Sequence, residues 1–291
     1  MMNLIDIRPG KNETILLPAS SLHSPHDAGQ SIGLPDKYDI FGVKVSATTY
    51  TDVIDVLLRC AKLRQPTLVD FMPVSVLVEA VHSPSFRARL NSFDLVCPDG
   101  QPVRWCLNRF HKVNLQDTVC GTTATLRLCE GAAREQIGVY LYGSTLKTLR
   151  QLQANLLARF PRLQIVGAES PPFSSSREEQ NAAACRIDAS GAGLVFVGIG
   201  SPKQENFAWE QKCRIRAVQL CVGAAFDFIA GTKRRAPPWM QRVGLEWLHR
   251  VCSEPARLGK RYALGNARFL ALLLPTLFST GWLEARRRDE S

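Results

Sequence analysis

Residues 194–205 read LVFVGIGSPKQE. Leu194–Ile199 is a short, almost wholly apolar run, the pattern of a strand buried on both faces. Gly200-Ser201-Pro202 stops it, and apolar residues return at helical spacing over Asn206–Cys213. Strand, glycine turn and helix together form the repeating unit of a parallel sheet. The same unit recurs on either side. Ile137–Tyr142 (IGVYLY) is a second apolar strand, broken by Gly143-Ser144 and followed by a helix over Leu146–Phe160. Gln164–Glu169 reads as a strand, Glu178–Ser190 as a helix and Ala217–Val222 as another strand. Upstream, helices are expected over Thr49–Lys62, Pro73–His82, Val103–Phe110 and Ala124–Glu130, with strands at Thr67–Met72 and Leu95–Cys97. This alternation predicts an α/β protein with a Rossmann-like, mainly parallel sheet flanked by helices. Ligands of such sheets bind beyond the carboxyl ends of the strands.

The flanks differ from this middle. Residues 1–36 are polar and punctuated by Pro9, Pro18, Pro25 and Pro35, which suggests a flexible N-terminal extension. The α/β domain is expected over 37–235, and a basic helical appendage over 236–291. Within 231–270, nine cationic side chains (Lys233, Arg234, Arg235, Arg242, Arg250, Arg257, Lys260, Arg261 and Arg268) face only Glu246 and Glu254. Much of the formal net charge of +10 therefore sits near the C-terminus. Such a block attracts phosphates, anionic lipid or nucleic acid, or serves only as a solvated face. No nucleic-acid recognition motif accompanies it, so nucleic acid is not expected as a partner. Phe269–Phe278 (FLALLLPTLF) is too short to span a bilayer. It fits either an interfacial segment or a core or dimer-packing helix, which leaves a homo-oligomer open. The nine cysteines include no C-x-x-C pair, and Met1–Gly10 lacks the apolar core of a signal peptide. Both features suggest a reducing, cytoplasmic setting without zinc or disulfides.

Four groups of residues could carry chemistry. Gly198, Gly200, Ser201, Lys203 and Gln204 form a turn whose backbone N–H groups can approach a diphosphate, and Gly143-Ser144 is a second turn of that kind. Lys203 stands where a dinucleotide fingerprint needs glycine, so a nicotinamide-dependent oxidoreductase is disfavoured. Asp99, in Pro98-Asp99-Gly100, is either a general base at a strand end or an ordinary turn residue. Asp227, in Phe226-Asp227-Phe228, is either a nucleotide-binding acid or a helix cap. Arg250, Arg257, Lys260 and Arg261 have spacings that would share a helix face, although Pro255 interrupts the run. Guanidinium forks suit diphosphate oxygens. No D-x-D triplet occurs, so no metal ligands and no cofactor are assigned, and cationic side chains are the expected charge stabilisers.

Taken together and in order, VGIGSPKQE (197–205), VGAAFDFIAGTKRRAPPWMQRVGLEWLHR (222–250) and EPARLGKRY (254–262) resemble the WecG/TagA/CpsF family of glycosyltransferases. Weaker likeness extends through 141–167, LVCPDG (95–100) and FGVKV (41–45). The resemblance implies an inverting, metal-independent enzyme that moves a hexose or N-acetylhexosamine from a UDP-sugar to a polyprenyl-diphosphate-linked sugar. The setting would be the inner face of the cytoplasmic membrane, in cell-surface polysaccharide synthesis. It also implies that Asp99 is the base, Asp227 the nucleotide-site acid, and Arg250 and Arg257 the appendage arginines, with Lys260 where the family often has arginine. Two stretches depart from the family pattern, Asp70-Phe71-Met72 and Asp117–Thr123. Both bear on donor or acceptor choice, and a glucosyl donor fits as well as N-acetylmannosamine. They also leave room for an alternative, a non-catalytic nucleotide- or lipid-binding module in polysaccharide assembly.

Overall fold

The computed structural model describes residues 14–16 and 33–289, and in places the backbone alone: the side chains of Arg257 and Arg261 and those beyond Thr276 lie outside it. In chain order the elements are β1 (Thr14–Leu16), β2 (Lys37–Ile40), β3 (Val43–Ser46), α1 (Tyr50–Lys62), β4 (Thr67–Met72), α2 (Val74–His82), α3 (Pro84–Asn91) and β5 (Leu95–Pro98). There follow α4 (Gln101–His111), α5 (Gly121–Glu135), β6 (Val139–Gly143), α6 (Leu146–Arg159), β7 (Ile165–Glu169), α7 (Arg177–Ala189), β8 (Leu194–Gly198), α8 (Lys203–Gln211) and β9 (Val218–Cys221). The chain ends with α9 (Ala225–Ile229), α10 (Pro238–Arg242), α11 (Glu246–Ser253) and α12 (Pro255–Asp289).

The main sheet runs β1-β7-β6-β8-β9-β4-β5. All its pairings are parallel except that of β1, which lies antiparallel against β7. The expected α/β sheet flanked by helices is therefore observed. The expectation of a mobile stretch over 1–36 falls outside the described residues, apart from β1 and residues 33–36.

Alternation along each strand explains the two helical layers. Val69 and Phe71, with Leu194 and Phe196, face α1, α5 and α6 through Leu57, Leu128 and Leu152. Their neighbours Leu68 and Met72 face α2, α3 and α4, while Val195 and Val197 face α7 and Phe207 of α8. Local signals fix several helix starts. Thr49 with Asp52, and Ser176 with Glu179, form reciprocal capping boxes ahead of α1 and α7.

Two features escaped the sequence reading. The β2–β3 hairpin docks on β5, where Val96 N donates to the buried Ser46 Oγ at 3.1 Å. Helix α3 begins at Pro84. The apolar C-terminal stretch is packed in part. Phe269 is buried against Phe41, with ring centroids 6.4 Å apart, while Leu270 and Leu274 of the same helix are about half exposed. Among the described residues, no helix is long and apolar enough to cross a membrane.

Candidate active site

A cavity of about 1840 Å³ opens beyond the carboxyl ends of β4, β5, β6, β8 and β9. It lies at a switch in strand order, because β6 leads to β7 on one side and pairs with β8 on the other. Its wall carries Asp99 on one side and Gly198, Gly200 and Ser201 on the other. The base candidate and the glycine turn thus share one space.

Backbone geometry makes the glycine half. A Cβ on Gly143 would sit 2.5 Å from the backbone of Gly198, so the ends of β6 and β8 approach only because Gly143 lacks a side chain, while a Cβ on Gly198 would meet the Phe226 ring at 2.7 Å. Gly200 has φ +84° and open space where a Cβ would point. Ser144 N donates to Gly198 O at 3.1 Å, and Ser170 Oγ donates to Ser144 O at 2.7 Å, which stitches the ends of β6, β7 and β8 together.

The acid half is built from distant segments. Asp99 follows β5, and its own N–H donates to Met72 O at the end of β4. Asp99 Oδ2 accepts from Gly121 N at 3.3 Å, at the first turn of α5. Burial pushes its carboxyl up to about 7, and the Glu246 charge pushes the same way. The Gly121 hydrogen bond and the charges of Arg235 and Arg250 oppose that rise. The outcome is an aspartate poised to take a proton near neutrality. Arg235 is fixed beside it, donating to Thr123 Oγ1 at 3.2 Å and to Cys120 Sγ at 3.1 Å. Burial, aided by the Asp99 charge, holds the Cys120 thiol at about 12, so it stays protonated.

The remaining candidates take varied places. Arg250 reaches the cavity from α11, its guanidinium 5.8 Å from the centre of the Phe228 ring. Asp227 lines the cavity and pairs with Lys233 at 3.1 Å, and Lys233 also reaches Glu254 at 3.3 Å. Gln204 borders the cavity, but its side chain is engaged: Oε1 accepts from Gly223 N at 3.0 Å and Nε2 donates to Glu205 Oε1 at 3.1 Å. Lys203 turns to the loop after β7, donating to Phe173 O at 2.9 Å with its ammonium 3.4 Å from that ring's centre.

One expectation is corrected. Arg250 and Arg257 do not share a helix face, because the chain breaks at Glu254-Pro255 and places them on α11 and α12. Proline at the start of α12 cannot extend the preceding helix. Lys260 is exposed and lies outside the cavity wall, while the side chains of Arg257 and Arg261 lie outside the described residues.

Under the floor lies a pairing the sequence reading did not anticipate, since it placed Asp70 only in a stretch bearing on donor or acceptor choice. Asp70, the charged residue of β4, is buried beside Glu205 of α8. Desolvation, with the neighbouring Glu205 acting in the same direction, raises the Asp70 carboxyl well above its ordinary range, and burial raises Glu205 as well. Gln204 then links this pair to the Gly223 turn. Gly121, Arg235 and Glu246 also went unassigned, although Arg235 and Glu246 lie inside the 222–250 stretch that carries the resemblance. Among the described residues, no group of three or more His, Cys, Asp and Glu is placed to hold a metal ion.

Residues 38–281 match the model of the Glycosyl transferase WecG/TagA/CpsF family. The match spans most of the chain, including every element that contributes to the cavity.

Proposed function

We propose that the chain, which belongs to the WecG/TagA/CpsF family of glycosyl transferases, moves a hexose or N-acetylhexosamine from a UDP-sugar to a sugar carried on a polyprenyl diphosphate. The observation that carries this reading is Asp99, an acid held near pH 7 on the wall of the cavity that also contains the glycine turn. In the mechanism, the nucleotide lies over Gly143, Ser144, Gly198, Gly200 and Ser201, with Asp227 and Gln204 at its border. Asp99 takes the proton from the acceptor hydroxyl. That oxygen bonds to the donor's anomeric carbon while the carbon–oxygen bond to UDP breaks. The bonding pair leaves with UDP, and the configuration inverts. Arg250 stabilises the charge that develops on the leaving diphosphate. In this reading Arg257 joins Arg250 in closing over that diphosphate, and Lys260 and Arg261 contribute to substrate binding.

Two surface features support the lipid-linked acceptor. One side of the cavity is apolar, formed by Val74, Trp105, Phe269, Leu270 and Leu273 between α2, α4 and α12. The helices after residue 236 also expose Trp239, Val243, Leu264 and Leu274 within the most basic part of the sequence. We take 236–291 as an appendage that rests on the inner face of the cytoplasmic membrane, with 37–235 as the catalytic domain. Exposed apolar side chains beside cationic ones suit an anionic lipid surface.

The test is UDP release from a panel of UDP-sugars with a synthetic lipid-diphosphate-sugar acceptor. Asp99→Asn should lower turnover by about 10²–10⁴-fold, the usual contribution of a general base, while UDP still binds. Full activity of that variant would remove Asp99 from the mechanism.

A further inference from the structure

Phe173 is the most exposed large apolar side chain among the described residues, at 88%, and it stands at the rim of the cavity. An aromatic ring left in water forgoes the stabilisation of burial, so its placement calls for a partner that arrives later. The loop that presents it is braced. Pro171 and Pro172 restrict the backbone before it. Ser175 Oγ donates to Pro172 O at 3.0 Å, and Gln180 Nε2 donates to Ser175 O at 3.3 Å. Lys203, one residue into the helix that follows the glycine turn, holds both the carbonyl and one face of the ring. The clasp therefore ties the ring to the segment that lines the glycine half of the site.

We propose that Phe173, presented by the Pro171-Pro172 loop and clasped by Lys203, is the stacking platform for the nucleobase of the donor. The inference rests on the sugar-nucleotide reading above and assigns the base end of that ligand. With one ring face against the ammonium, the opposite face remains for a flat partner. Within a sugar nucleotide, the base is the part with a π face, and aromatic pairs favour offset stacking. A platform beside the ends of β6, β7 and β8 also leaves the diphosphate directed along the glycine turn toward Asp99. The basic side chain of Lys203 thereby acts on the loop, where sequence alone suggested a phosphate contact.

Titrations of UDP and of inorganic pyrophosphate into the full chain test this, for the parent, Phe173→Ala and Phe173→Trp. Loss of one base–aromatic stack should weaken UDP binding roughly tenfold to a hundredfold in Phe173→Ala. Pyrophosphate binding should be unchanged, and Phe173→Trp should restore UDP affinity. Equal losses for UDP and pyrophosphate would overturn the proposal, since a distorted loop would act on both. Unchanged UDP binding with weaker association to vesicles of anionic lipid would also overturn it and make the ring a membrane contact. A loss seen with a UDP-sugar but not with UDP would assign the ring to the sugar instead. Failure of the parent chain to bind any UDP compound would defeat the donor reading itself, a result distinct from all of these.

Discussion

Asp188 and Asp99 are both partly buried aspartates at the rim of the same sheet, but at opposite ends of its strands. Asp188 lies where β4 and β9 begin. There it accepts from Arg216 N at 2.9 Å, from Arg216 Nη2 at 2.8 Å and from Arg64 Nη2 at 3.4 Å. The Arg216 hydrogen bonds hold its carboxyl below the usual range, against a smaller desolvation effect. Asp99 lies where β4 and β5 end. It receives one long backbone hydrogen bond, a carboxylate neighbour and an environment that raises it to about 7. The end of the sheet that only has to hold together satisfies its acid. The end that opens on a cavity leaves its acid hungry for a proton. Unsatisfied charge at one rim and satisfied charge at the other is what separates a reactive edge from a structural one.

Substitutions can break or sharpen this contrast. The largest effect after loss of Asp99 itself is expected from Arg250→Ala, which removes the cation that the proposed mechanism assigns to the donor's diphosphate. Both UDP affinity and turnover should fall, with kcat/KM down by roughly 10²-fold, the order lost with one charge-stabilising donor. Steady-state kinetics alongside UDP titration would show whether both parameters move; a change confined to stability would place Arg250 outside the site.

Glu246→Gln should act more finely. The Glu246 charge helps to raise Asp99, so its removal lowers the pH at which Asp99 loses its proton. The acidic limb of the kcat/KM profile, expected near pH 7 in the parent, should move to lower pH, and activity should persist further into acid. An unmoved limb would mean that a different group governs it.

Asp188→Asn should have the smallest effect on catalysis. Its folded-state carboxyl is lowered, so its contribution to stability is present above the unfolded value of about 3.9 and is lost as pH falls through the folded value. At neutral pH the variant should melt a few degrees lower, with kcat unchanged. The difference from the parent should close in strong acid. Thermal melts across pH would check this, and a fall in kcat would erase the distinction between the two rims.

The sequence made one half of this site legible and concealed the other. Gly143, Gly198 and Gly200 follow apolar strands directly, so local pattern alone sends them to the strand ends. Asp99 could be picked out for the same reason, because Pro98-Asp99-Gly100 ends β5. What tunes Asp99 could not be read in the same way. Gly121, Arg235 and Glu246 are far apart in the chain and meet only because α5 starts beside β5 and α11 folds back over the cavity. Their contribution is set by topology, which no local window contains. Lys203 shows the complementary gap: its place in the glycine turn suggested phosphate, and no local pattern announced that the loop after β7 also lies within its reach. The β2–β3 hairpin was missed because its two strands have only four residues each, too short for alternation to declare itself.

The acid pair beneath the floor has a consequence for how the molecule comes together. In the unfolded chain Asp70 and Glu205 ionise at ordinary carboxylate values, whereas in the folded interior burial shifts both toward the protonated form. Acquiring the native state therefore draws hydrogen ions out of solution at any pH between the ordinary carboxylate range and the raised folded values. Alkaline media, which make those ions scarcer, work against assembly of the sheet at the very strand that supports the reactive edge.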